Sequence, residues 1–244
     1  MKSEGRGLPA AGKAAGVSLM AAVAVMIVAT LVSPGVPLID PVDQTDTTSA
    51  LASLGENPNL GHLTTLLAMV SMLLYARGFL GIYRSVSNES GLAATLLRTG
   101  IGVSLFGWAI FTAAMGMRHM AIHLTQRAAE EPAMAEQMLA AAGGVFIALT
   151  AVLVAFLAIY PVATFLTGIG LALRSRSIGL PTILGWGLAL AGLLAIAVFH
   201  TALHVPSFDP GLMLQTNSAV LSLGTLLLFL LGFAMFRDPA TKTD

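Results

Sequence analysis

The chain has no cysteine. Disulfides, thiolate metal sites, iron–sulfur clusters and cysteine nucleophiles are excluded together. Charge is nearly as scarce. Only 10% of the 244 residues are charged, where a soluble domain carries about 25%. A globule of this length could not cover its surface in water with so few charges, so its solvent is largely lipid. Neither sign of charge dominates: twelve Lys and Arg balance twelve Asp and Glu. A nucleic-acid partner, which demands a basic face, is therefore not expected.

What the chain has is apolar length, with 56% hydrophobic residues. A spanning helix takes about 20 mostly apolar residues. Six stretches qualify: Ala15 to about Val36, Leu63–Tyr83, Leu92 to about Met117 with continuation past His123, Ala142–Leu173, Thr182–His204 and Leu212–Phe236. The runs are continuous rather than alternating, which favours helices over a barrel. The expected fold is an all-α integral membrane protein, a single polytopic domain of six transmembrane helices. Residues 37–60 read as an outer acidic loop, and residues 125–138 as an outer loop with a short surface helix at Glu130-Glu131-Pro132. The first run follows Lys2, Arg6 and Lys13 as a signal peptide would. It is longer than such a segment and no A-x-A site follows, so it reads as a retained helix.

Lys and Arg orient the spans. With six of them, Lys2, Arg6, Lys13, Arg84, Arg98, Arg174, Arg176, Arg237 and Lys242 share one side. Only Arg118 and Arg127 fall on the other, with Asp40, Asp43, Asp46, Glu56, Glu130, Glu131, Glu136 and Asp209. Both termini are thus expected in the cytoplasm. Arg77 lies inside the second span, two turns from its basic end, where it can snorkel.

Phe106-Gly107-Trp108 and Leu184-Gly185-Trp186 hold the two tryptophans, each in a span that runs outward and ends in histidines. Three hairpins in a parallel repeat would fit. Gly-Trp and terminal Arg as ordinary membrane vocabulary would fit equally.

The five histidines carry the functional expectation. His62 lies 22 residues before Arg84, and His119 lies 21 after Arg98. At 1.5 Å per residue these are about 33 and 32 Å, against a hydrocarbon core of about 30 Å. By the same count His200 lies about 29 Å from Pro181. All five fall near one level, at the extracytoplasmic edge. His119/His123 and His200/His204 are each spaced i, i+4, which puts two imidazoles on one helix face, as in a helical metal-binding motif. With His62 these would be ligands for zinc, copper or iron. Glu56, Glu130 and Asp209 stand in adjoining loops to ligate or to orient the rings.

Three function classes follow. One is a membrane metalloprotein, redox or hydrolytic on a lipid-soluble substrate or handling the metal itself. Another is a haem b protein exchanging electrons with quinone. It would use one His from each of two helices as axial ligands, with Arg118 on a propionate. The third is a non-catalytic subunit or scaffold. Its small residues, Gly143-Gly144, Gly168-x-Gly170 and Ala189-x-Ala191-Gly192, would allow close packing within the chain, between copies or against a membrane-protein partner. Transport is a weaker fourth class, resting on Arg77 and the mid-span Pro161. The lipid bilayer is a partner in every case.

Overall fold

The computed structural model describes residues 11–36, 38–39, 41–43, 46–174, 179–205, 207 and 210–237. Lys2, Arg6, Asp40, Arg176, Asp209 and Lys242 lie outside the described residues. Among those described, seven α-helices follow one another: α1 Gly12–Leu31, α2 Thr47–Glu56, α3 Pro58–Val86, α4 Leu92–Glu130, α5 Ala135–Arg174, α6 Leu180–His204 and α7 Pro210–Arg237. All but α2 are long and apolar enough to cross a membrane. The protein is a helical membrane bundle.

Element ends follow local chemistry. α1 stops at Leu31, earlier than the apolar run to Val36 suggests. Pro34 pushes the residue before it out of helical geometry, and Gly35 takes φ +78°, a region open to glycine. α3 opens on Pro58, whose missing N–H is no loss at a helix start. α4 starts just after Gly91, at φ +102°. α5 continues through Pro161, which cannot donate to the carbonyl four residues back. Between α4 and α5 there is only a three-residue 3-10 turn, Pro132–Met134. The loop expected over 125–138 is therefore mostly the ends of two long helices.

The acidic 37–60 segment also differs from expectation, because it contains α2. Asp46 caps that helix, accepting from Thr48 N at 3.0 Å and Ser49 Oγ at 2.5 Å. These bonds stabilise the charged carboxylate. The Ser49 bond above all, with the Thr48 bond next, holds the Asp46 carboxyl below its ordinary value. Ala50, Leu51 and Leu54 form the buried stripe of α2, packed with Ala121, Ile122, Ala142 and Phe146.

The chain divides into two compact units. One comprises Met1–Val23, Leu73–Gly107 and Leu157–Asp244. Its helices pack through glycine. A methyl group at Gly185 would lie 2.5 Å from Ala172 N, and one at Gly192 would lie 2.5 Å from Phe165 N, so α6 touches α5 backbone to backbone. Gly16 and Gly232 join α1 to α7 in the same way, and Gly170 meets Leu97 of α4. The small residues Gly168, Gly170 and Gly192 thus serve packing within the chain, as lipid-embedded helices require. Gly143 and Gly144 face open space. Arg174 grips Glu89 through Nε at 3.2 Å and Nη2 at 2.5 Å, while Arg98 Nη1 donates to the carbonyls of Ser87 and Glu89. Around Tyr160 lie two cavities of about 10 Å³. Each has room for about one water.

The other unit comprises Ala24–Met72 and Trp108–Phe156. Ala68, Ala114, Met115 and Leu149 form a core joining α3, α4 and α5. The two Gly-Trp pairs have unlike surroundings: Trp108 is 4% exposed and Trp186 is 52% exposed.

Candidate functional site

In the second unit, α3 and α4 bring polar side chains together where α3 begins and α4 ends. His62 and His119 stack with ring centroids 5.1 Å apart and planes at 22°. Their Nδ1 atoms are 2.8 Å apart. His62 Nε2 lies 3.1 Å from Gln126 Oε1. With the Gln126 amide oxygen facing His62 Nε2, the tautomers of a neutral pair follow. The amide oxygen of Gln126 only accepts, so His62 carries its proton on Nε2. A neutral His62 then offers a bare Nδ1, to which His119 Nδ1–H donates. That leaves His119 Nε2 with its lone pair. Both rings are half-buried.

One residue away, Arg118 is held by neutral oxygens. Its Nη1 donates to Thr65 Oγ1 at 2.7 Å, Thr64 Oγ1 at 3.2 Å and Gly61 O at 3.4 Å. Its Nη2 donates to Ser33 Oγ at 2.7 Å. Two of the hydroxyls donate in turn to backbone, Thr64 to Leu60 O and Thr65 to Gly61 O. Three segments, the turn after α1, α3 and α4, are thereby tied at one guanidinium. No carboxylate neutralises it among the described residues.

The remaining histidines lie elsewhere. His123 is exposed although it is four residues from half-buried His119, because a step of four advances about 40° beyond a full turn. His200 and His204 are exposed on α6, in the first unit, with rings parallel within 2° and centroids 6.0 Å apart. Phe199 meets His200 edge-on at 5.9 Å. The five expected ligands therefore resolve into one pair between helices, one pair along a helix and one single residue. Among the described residues no three His, Asp or Glu stand together so as to hold a metal ion. Glu56 and Glu130 are exposed.

Gln126, Thr64, Thr65 and Ser33 were not singled out from sequence. Gln126 was findable, because it lies seven residues beyond His119 and so on the same helix face. Thr64 and Thr65 follow His62 closely, but nothing in the sequence shows that Arg118 faces them. No protein-family model, no curated protein and no solved structure matches this chain.

Proposed function

We propose that this chain is a six-span integral membrane protein with both termini on the cytoplasmic side, and that its working site is the His62–His119 pair. The pair binds the hydroxyl-bearing headgroup of a membrane-soluble ligand. The observation that carries this reading is the 2.8 Å Nδ1–Nδ1 contact with Gln126 behind it, which leaves His119 Nε2 as an oriented acceptor. A hydroxyl donates to that nitrogen, and Arg118 beside it adds a fixed positive charge.

Nitrogen-15 NMR of histidine-labelled protein in nanodiscs tests this. One ring is expected as the Nδ1–H tautomer and its partner as Nε2–H. Adding decyl hydroquinone, but not decane, should shift the Nε2 resonance assigned by His119→Ala. No shift, or identical tautomers at both rings, overturns the reading.

Metal binding is the second reading, favoured by the convergence of the two Nδ1 atoms and by the parallel His200/His204 rings. Two nitrogens on one tetrahedral zinc sit about 3.3 Å apart, given zinc–nitrogen bonds near 2.0 Å. The pair would have to open by about 0.5 Å to admit one. Zinc, copper or iron would also need its other positions filled from outside the described residues, beside a guanidinium that disfavours cations. Elemental analysis of the purified protein decides between the readings. Stoichiometric metal that disappears in His62→Ala assigns the site to metal; loss in His200→Ala assigns it to α6. A haem b reading requires Arg118 to leave its four oxygen partners for a propionate, and a Soret band would reinstate it.

A further inference from the structure

The lipid-facing side of α3 is apolar except at two positions. Leu66, Val70, Leu73, Arg77, Leu80 and Arg84 follow at steps of three and four residues, so they form one stripe. Every member is exposed, Leu73 at 70%. Arg77 is therefore a cation set among exposed leucines, and no described residue gives its side chain a hydrogen bond or an ion pair. From Arg77 to Arg84 is seven residues, two turns or about 10 Å along the axis.

A guanidinium facing hydrocarbon at this depth is costly and is driven toward water or a counter-ion. The arginine stem lets the head climb toward the nearer membrane surface, which is the surface at the C-terminal end of α3. Arg84 projects from the same face at that surface. Both heads can then reach the level where lipid phosphates lie. Arginine matches a phosphate in a two-toothed geometry that lysine cannot reproduce.

We propose that Arg77 and Arg84 together bind the phosphate of an anionic phospholipid in the leaflet at the C-terminal end of α3. The preference for an anionic lipid follows from charge. Two guanidiniums against one phosphate leave one positive charge over. A zwitterionic lipid brings its own cation to that place, and phosphatidylglycerol does not. This site is independent of the histidine pair, and its test does not depend on that reading.

The protein is reconstituted in nanodiscs of equimolar phosphatidylcholine and phosphatidylglycerol, released into mild detergent and weighed by native mass spectrometry. The wild type should retain phosphatidylglycerol in preference to phosphatidylcholine. Arg77→Gln and Arg84→Gln should each cut the retained adduct by about five-fold, with Arg77→Lys between. Arg127→Gln, on an exposed i, i+4 pair with Glu131, should leave it unchanged. Millimolar inorganic phosphate should not displace the lipid. Equal retention of both lipids by the wild type overturns the proposal, as does an undiminished adduct in Arg77→Gln. Displacement by inorganic phosphate overturns the lipid as ligand. Should Arg77→Gln fail to fold, Arg84→Gln and the wild-type lipid preference decide the matter.

Discussion

Arg118 and Arg174 are both largely buried, yet they solve the problem of a buried cation differently. Arg174 has a carboxylate, with side chains 9% and 19% exposed in the Arg174–Glu89 pair. Arg118 has only hydroxyls and a carbonyl. The two sites should therefore respond differently to substitution. Removing Glu89 strands a buried charge, and breaking such a pair costs about 3–5 kcal/mol. Removing Arg118 strands no charge: Thr64 and Thr65 keep their own backbone acceptors, and only the Ser33 hydroxyl loses its bond. Glu89→Gln should lower the melting temperature in detergent by about 6 °C or more, at 2–4 °C per kcal/mol for a chain of this size. Arg118→Met should lower it by less than about 4 °C, with faster amide exchange confined to the turn at Ser33. A fall as large as that of Glu89→Gln would mean that Arg118 is neutralised by a bound anion.

At the level of elements, the long helices were legible and the short one was not. Six runs of apolar residues announce themselves by composition alone. α2 has ten residues, and its signal is only the cap at Asp46 and the stripe Ala50, Leu51, Leu54. Its stability depends on a contact that sequence does not reveal, the seat made by Ala121, Ile122, Ala142 and Phe146. The cap gives a pH test. The Asp46 carboxyl is held below its ordinary value in the folded state. Its stabilising contribution is therefore full above the unfolded value, near 3.8, and is lost as pH falls through the lower folded value. Protection of the α2 amides, corrected for intrinsic rates, should drop on going from neutral pH to about pH 3. Asp46→Ala should show the reduced protection at every pH, whereas Asp46→Asn keeps a capping oxygen and should lose the pH dependence. Glycine gives a second test between elements. Gly185→Ala and Gly192→Ala push a methyl into the α5 backbone and should lower the melting temperature. Gly144→Ala has open space and gains up to about 1 kcal/mol of helix propensity, so it should be neutral or stabilising. Equal effects at the three positions would refute the close α5–α6 contact.

For the molecule as a whole, charge placement sets an expected orientation, whereas histidine spacing read only the pair along α6. The i, i+4 rule correctly put His200 beside His204, ring on ring. It did not foresee that His119 would pair with His62, fifty-seven residues away. That contact depends on how far α3 and α4 rotate about their axes, which is set by the small core of Ala68, Ala114 and Met115 and by the Arg118 tie. Neither is encoded in a spacing. The charge pattern needs no such detail, since it is summed over whole loops. It predicts that the α3–α4 loop faces the cytoplasm and the α4–α5 turn faces away. The absence of cysteine makes this directly measurable, because any cysteine introduced is the only one in the chain. Ser87→Cys, in the α3–α4 loop, should resist a membrane-impermeant maleimide in intact cells and react once the cells are opened. Ala133→Cys, exposed in the turn between α4 and α5, should react in intact cells. The reverse pattern would invert the orientation, and with it the side from which a ligand reaches His119. Reaction of both sites in intact cells would show that the six helices do not all cross the bilayer.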